Sequence, residues 1–376
     1  SVWNTIVADI SKSRKLSVAQ LNAIANTLGA RTPELALANK LVDKVAYEDE
    51  YHDMIRAKLK VDKKEKYDIV SITDYAKKAS STVEDYSKDD IIAVIYAQGE
   101  IAGGEGDVNV IGEGSIKRSL QEARDDKDVK AIVLRVNSPG GSALTSELIW
   151  REIEITKKVK PVVVSMGNYA ASGGYYIAAN ADRIFAEPNT ITGSIGVFGM
   201  LPNMNQLGKN IGINAEQVKT HENASGYSVF EPIDENFKGF VLESIEKTYA
   251  TFLKRVADGR KMTTEQVDAI AQGRVWTGVD AHKLGLVDEI GGLDAAIKYA
   301  AKLGKTSSYR TENYPEYEKN FEDLLANFTG MAMFKTKEQL LKEQLGEEGF
   351  QMLEQIKRVK SRKGIQAIMP YEIVIN

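Results

Sequence analysis

Two glycine-rich turns, each placed behind an apolar run, constrain this chain most. Ala131-Ile132-Val133-Leu134-Arg135-Val136 leads into Asn137-Ser138-Pro139-Gly140-Gly141-Ser142, and Val162-Val163-Val164-Ser165-Met166-Gly167 leads into Ala170-Ala171-Ser172-Gly173-Gly174-Tyr175-Tyr176. Runs this rich in β-branched residues read as buried strands, and each turn reads as the opening of a helix. Two consecutive strand–turn–helix units predict an α/β fold with a mainly parallel sheet. The strands are expected near 91–96, 131–136 and 161–165, with a helix starting near 171. Such turns leave backbone N–H groups free at a helix N-terminus, where an oxyanion can be stabilised. The second turn adds a hydroxyl, Ser172, at its tip. A nucleophile beside free amide donors is what acyl transfer from a peptide or ester needs. The plainer reading of each turn is that Gly-Gly lets the backbone reverse and that the serine is a helix N-cap.

Composition narrows the chemistry. The 376 residues suggest about two domains, and 43% hydrophobic with 27% charged residues is the balance of a globular protein. A net charge of −4 gives no basic footprint for nucleic acid. With no cysteine, disulfides, thiolate zinc sites and a cysteine nucleophile are excluded. The three histidines, His52, His221 and His282, form no spaced ligand pair, so neither a metal nor a cofactor is expected. That scarcity also favours a lysine over a histidine as the group that activates Ser172. No run approaches the roughly 18–20 apolar residues that span a bilayer.

An internal repeat is visible. Arg14-Lys15-Leu16-Ser17 matches Arg260-Lys261-Met262-Thr263, Gln20-Leu21-Asn22-Ala23-Ile24-Ala25 matches Gln266-Val267-Asp268-Ala269-Ile270-Ala271, and Leu41-Val42-Asp43-Lys44-Val45 matches Leu286-Val287-Asp288-Glu289-Ile290. The shared order predicts a duplicated domain, of which the first copy is present here only as its tail. The body of that copy is expected upstream of Ser1. Three regions follow: a helical tail at 1–66, a body at 67–305 and an extension at 306–376. Residues 67–72 are expected to form a short strand. The apolar spacing of Phe237, Phe240, Val241, Ile245, Tyr249, Phe252 and Val256 predicts a long core-facing helix. Residues 335–363 read as a charged helix, and 371–375 as a terminal strand.

The segments Leu134-Arg135-Val136-Asn137-Ser138-Pro139-Gly140-Gly141-Ser142, Ala170-Ala171-Ser172-Gly173-Gly174-Tyr175, Thr192-Gly193-Ser194-Ile195-Gly196-Val197, Ala271-Gln272-Gly273-Arg274-Val275-Trp276-Thr277-Gly278 and Gly285-Leu286-Val287-Asp288 resemble the bacterial signal peptide peptidase A (protease IV) family in its long, duplicated form. The resemblance covers residues 1–305 and is weak beyond. It implies a Clp-protease/crotonase-like fold and a Ser-Lys dyad peptidase that degrades cleaved signal peptides. It also implies Ser172 as nucleophile, the Gly141 and Gly173 amides as oxyanion hole, and Ser194 as the group orienting the lysine. Without the resemblance, Ser194 reads as a turn serine. It further implies a homotetramer at the bacterial inner membrane, facing the periplasm or exterior and anchored through an N-terminal segment.

One departure matters. In short members of the family the lysine follows the nucleophile, in a register that falls here at Ala224 within Glu222-Asn223-Ala224-Ser225-Gly226. In the long form it comes from the N-terminal repeat. Lys219 is the nearest substitute in this chain, but it reads as part of a strand, Gln217-Val218-Lys219. The chain alone is therefore expected to show little peptidase activity. Two other readings stay open: a crotonase-like acyl-CoA enzyme and a non-catalytic scaffold.

Overall fold

The computed structural model describes residues 2–62, 66–72, 74–75, 90–221, 224, 227–316, 350 and 366–369. The chain divides into two compact units, 1–87 and 88–376.

The first unit is helical, with helices Val2–Arg14, Val18–Asn26, Pro33–Ala38 and Glu48–Leu59. Ser17 caps the second helix. Its hydroxyl accepts the Gln20 N–H at 3.2 Å, and Gln20 Oε1 accepts the Ser17 N–H at 2.8 Å. Val7, Leu16 and Leu21 form a small buried cluster. The strand expected at 67–72 is absent from the described residues of that segment. Ile69, Val70 and Ile72 are 75%, 61% and 86% exposed, so the run has β-branched residues but, among the described residues, no strand to pair with.

The second unit carries thirteen described strands. They are β1 (Ile91–Gln98), β2 (Glu100–Ala102), β3 (Gly106–Asp107), β4 (Val110–Gly112), β5 (Val129–Ser138), β6 (Gly140–Ser142), β7 (Val162–Ala171), β8 (Arg183–Ala186), β9 (Ile191–Gly193), β10 (Val275–Thr277), β11 (Glu289–Ile290), β12 (Arg310–Tyr314) and β13 (Gln366–Ile368). The larger sheet runs β10-β9-β7-β5-β1-β12 and is parallel except where β10 meets β9. β7 divides its free edge between two partners: Val163, Val164 and Ser165 pair with β8, and Tyr169, Ala170 and Ala171 pair with β9. A smaller sheet runs β13-β6-β2-β4-β3.

The expected α/β class with a mainly parallel sheet is therefore present, with the strands anticipated at 91–96, 131–136 and 161–165. Alternation along β1 and β5 explains the layering. Ile91, Ala93, Ile95, Ile132 and Leu134 face one side, with Ile116 and Leu120 of helix Glu113–Asp125 and Ile149 and Ile153 of helix Ala143–Lys157. Ile92, Val94, Ala131 and Val133 face the other, with Ala296 and Ala300 of helix Leu293–Leu303. Both faces are covered, which is why these strands read as continuous apolar runs.

Helix Glu235–Arg260 exists as the spacing predicts, but only its C-terminal part enters the core. Phe252, Val256 and Ala257 are buried, whereas Phe240 is 56% exposed. The N-terminal half is thus not core-facing. The expected helix at 335–363 lies outside the described residues except for Phe350, which is helical, and the expected strand at 371–375 lies outside them altogether.

The matching segments of the internal repeat share local geometry. Thr263 caps helix Thr264–Ile270 through Gln266 just as Ser17 does through Gln20, with bonds of 3.2 and 2.9 Å. Lys15 and Lys261 both adopt left-handed backbone, with φ of 54° and 55°. Arg14 makes two hydrogen bonds to Asp43, and Arg260 two to Asp288.

Candidate active site

Ser172 stands where β7 ends and the short helix Gly173–Ala178 begins. Its backbone, at φ 53° and ψ −116°, lies in a region that costs a non-glycine residue about 1–3 kcal/mol, so the surrounding structure must impose it. The Ser172 N–H donates to the Gly193 carbonyl at 2.8 Å, and its carbonyl accepts from the Tyr176 N–H at 2.8 Å. These two bonds hold the turn from both sides. Ser172 occupies the N-cap position, yet its side chain makes no capping bond. Ser142, at the equivalent place before helix Ala143–Lys157, does cap, accepting from the Thr145 N–H at 3.3 Å. The two serines that look alike in sequence therefore do different things. The Ser172 hydroxyl instead reaches the Gly196 carbonyl at 3.4 Å, a long contact that leaves it free to be drawn elsewhere.

The first glycine turn lies against the second. Gly140 and Gly141 have φ of 105° and 157°, and a Cβ on Gly141 would overlap the Ile101 carbonyl of β2. Only glycine fits this position between β2 and β13. The Gly141 nitrogen lies 3.2 Å from where a Cβ on Gly173 would stand, so the two turns the sequence singles out meet at one place. Ser194 follows Gly193, whose carbonyl holds the Ser172 amide. It is 2% exposed, has φ 47°, and donates its N–H to the Arg274 carbonyl at 2.7 Å. Ser172, Gly173, Gly141 and Ser194 are thus gathered into one region. Beneath it, the Thr192 hydroxyl donates to the Ala170 carbonyl at 2.7 Å and locks β9 to β7.

Lys219 does not lie in a strand. It is exposed, in irregular chain beside the fully exposed Val218, so nothing packs it toward a buried hydroxyl. His221 is likewise exposed, and His282 sits on the short helix Gly278–Lys283. Among the described residues no cluster of histidine, aspartate and glutamate could hold a metal ion. No described helix is long and apolar enough to cross a membrane.

Two features of this region have no local signature in the sequence. Tyr176 donates to Glu147 at 2.5 Å, Arg255 pairs with the same carboxylate at 2.5 Å, and the Arg255 guanidinium lies 3.8 Å from the centre of the Trp150 ring. Burial, and then the Glu147 bond, push the Tyr176 hydroxyl well above the usual tyrosine range. This network fixes the first turn of the helix behind Ser172. The second feature is β13, which pairs with Gly140–Ser142 from far along the chain. A three-residue strand has too short a period to announce itself.

The profile described as "Peptidase family S49" matches residues 154–307. "Protease 4" of Haemophilus influenzae is 38% identical over 314 residues, covering 80% of this chain and 50% of its own length. A "Putative signal peptide peptidase SppA" of Enterococcus faecium is 36% identical, covering 52% of this chain and 57% of its own. Among solved structures, a point mutant of ClpP1 from Listeria monocytogenes aligns over 54% of this chain and 94% of its own, with a TM-score of 0.36 and 17% identity, a distant likeness. The chain spans about half the length of the Protease 4 relatives it matches.

Proposed function

The chain belongs to peptidase family S49, and on that premise we propose that it carries the nucleophile half of a serine peptidase whose base comes from an upstream repeat. Ser172 attacks the scissile carbonyl. The Gly141 and Gly173 N–H groups receive the oxyanion. A neutral lysine amine takes the hydroxyl proton and returns it to the leaving amine, and Ser194 orients that lysine. Water then cleaves the acyl-enzyme and regenerates the hydroxyl.

The observation that carries this reading is the contrast between Ser142 and Ser172. A serine held in a strained turn, declining the capping bond its position offers, is held for another purpose. Peptide rather than acyl-CoA is favoured as substrate because the same turn accepts an extended strand, β13, along Gly140–Ser142. The duplication on which the two-repeat dyad is built is supported by the shared caps, left-handed lysines and Arg–Asp pairs of the two matching segments. Cleaved signal peptides with small apolar residues are the proposed substrates, after the name of the Enterococcus relative. Assembly as a homotetramer at the bacterial inner membrane, facing outward, belongs to the same reading.

Labelling with a fluorophosphonate tests it. A chain extended by the upstream repeat should label and turn over peptides, and Ser172→Ala should abolish both. Residues 1–376 alone should show little turnover, since general-base help is worth about 10²–10⁴-fold. Lys219→Ala should leave the extended protein nearly intact. Full activity from residues 1–376, lost on Lys219→Ala, would overturn the two-repeat dyad.

A further inference from the structure

β5 and β7 run in simple register from Ile132 opposite Val162 to Val136 opposite Met166, and there the register breaks. The next pair is Ser138 with Ala170, so the single residue Asn137 faces three: Gly167, Asn168 and Tyr169. β7 therefore carries a two-residue bulge just before the turn that presents Ser172. A bulge beside a site changes where the following side chains stand. Without this one, Ser138 would face Asn168, and Ser172 would stand two residues further along the sheet, about 6–7 Å at the usual strand rise. Three side chains take up the backbone groups of the bulge. Arg135 Nη1 donates to the Met166 carbonyl and to the Ser165 hydroxyl, each at 2.8 Å. Asn137 Oδ1 accepts the Tyr169 N–H at 3.2 Å, and it lies so close under Gly167 that a Cβ there would stand 2.9 Å away. The Thr190 hydroxyl donates to the Gly167 carbonyl at 2.8 Å and accepts the Glu187 N–H at 3.0 Å. Arg135 follows Ala131 and Val133 on the face packed against helix Leu293–Leu303, a position whose alternation calls for an apolar side chain. Burial disfavours its charge and holds the guanidinium below the usual arginine range. The fold bears that cost at the level where the pairing of β5 with β7 is interrupted.

We propose that Arg135, Asn137 and Thr190 are positioning residues of the peptidase reaction: they hold the β7 bulge in shape and thereby set where the Ser172 hydroxyl stands against the Gly141 and Gly173 amides. This rests on the peptidase reading above and adds to it the residues that set the distance between the two glycine turns. The two turns hang from the two sides of the bulge. Ser138, opposite Ala170, leads directly into Pro139-Gly140-Gly141, and Ala170-Ala171 leads directly into Ser172. A bulge that relaxes therefore slides nucleophile and oxyanion donors past each other. The five paired positions from Ile132 to Val136 keep the interior of the sheet joined while that happens. A misplacement of about 1 Å at a reacting group can cost roughly 10²-fold in rate.

The test uses the full protein with its upstream repeat and a fluorogenic peptide of small apolar residues. Thr190→Val keeps the shape of the side chain and removes both hydroxyl bonds, and Asn137→Ala removes the acceptor of the Tyr169 N–H. Each should lower kcat roughly 10–100-fold and leave KM within about threefold, the pattern of a contribution made in the transition state. Fluorophosphonate labelling should slow by a similar factor. Thr190→Ser and Asn137→Asp, which keep the bonding oxygens, should hold kcat within about threefold of the parent. Thr263→Ala, which weakens a helix cap elsewhere in the unit, is the control for stability alone and should keep full kcat. Full kcat in both Thr190→Val and Asn137→Ala, an equal loss in Thr190→Ser, or an equal loss in Thr263→Ala would overturn the proposal. Loss of folding in Thr190→Val and Asn137→Ala alike, read by circular dichroism, would make the three side chains part of the fold's stability and overturn it as well. Turnover in the parent that survives Ser172→Ala would remove the peptidase reading and the proposal with it, whereas Ser172-dependent turnover with full kcat in both variants overturns the proposal alone.

Discussion

Replacing Arg260 by methionine asks how the long helix Glu235–Arg260 is fastened to the sheet. Arg260 Nη1 and Nη2 donate to the Asp288 carboxylate at 3.0 and 2.6 Å, and its Nε donates to the Gly285 carbonyl at 2.9 Å. Asp288 also accepts the Ile184 N–H of β8 at 2.8 Å. The two side chains are 7% and 20% exposed. Burial pushes the Asp288 carboxyl up, but the Arg260 bonds and charge, with the Ile184 amide, outweigh it and hold the group below the usual carboxylate range. Methionine fills the space of the arginine stem and leaves a largely buried carboxylate with one backbone donor. Breaking such a pair costs about 3–5 kcal/mol, which for a unit of this size lowers Tm by roughly 10 °C. The sign with pH follows. A depressed folded pKa stabilises above the unfolded value, near 3.9, and that contribution is lost as pH falls through the folded pKa. In the variant the unpaired carboxyl is raised instead, and protonation relieves it. The gap between wild type and Arg260→Met, read by melting under near-UV circular dichroism, should be widest at pH 7 and narrow toward pH 4. A shift under about 2 °C at pH 7, or an equal gap at both pH values, would refute the argument from a buried charge. Arg14→Met is the control. Its partner Asp43 is 91% exposed, so no buried charge is left unpaired, and the loss is limited to about 1 kcal/mol from the Arg14 Nε bond to the Lys40 carbonyl, with no narrowing toward pH 4.

Gly141→Ala in the two-repeat protein keeps the N–H but sets a Cβ 2.0 Å from the Ile101 carbonyl, so the turn must shift its amide. In a single-turnover assay kcat should fall toward the cost of losing one oxyanion donor, about 10²–10³-fold, with the fold retained by circular dichroism. Full kcat there would remove Gly141 from the site. Thr263→Ala should lose about 1 kcal/mol by denaturant melting, because the capping hydroxyl is gone while the Gln266 side chain can still reach the backbone N–H at position 263. Thr263→Ser should restore most of it.

The central strands were legible because β1, β5 and β7 are buried on both faces and so spell themselves out as runs such as Ile91-Ile92-Ala93-Val94-Ile95. The two turns were legible through their glycines: Gly140 and Gly141 take positive φ, and a Cβ on Gly173 or Gly174 would crowd Ser146 or Ser138. The run at 67–72 has the composition of a strand, but composition does not supply a partner edge, and its apolar side chains stay in water. The helix Glu235–Arg260 shows the same limit in another form: its periodicity extends through Phe240, while burial begins only near Phe252. At the site, Ser172 and Gly173 follow from sequence, but β13 and the Glu147–Arg255 pair do not. They join residues far apart in the chain, and no local pattern encodes the distance between them.

The forked edge of β7 has a mechanical consequence. One end of the strand, through Val163–Ser165 and β8, bears on the packed interior. The other end, through Tyr169–Ala171 and β9, bears on the turn that presents Ser172. Cohesion and aim are thereby assigned to separate ladders on a single rod. Changes that lengthen or shorten the link between β8 and β9, around Pro188 and Asn189, can re-aim the hydroxyl while the interior keeps its grip, and a loosened β8 can soften the whole unit without moving the hydroxyl relative to Gly193.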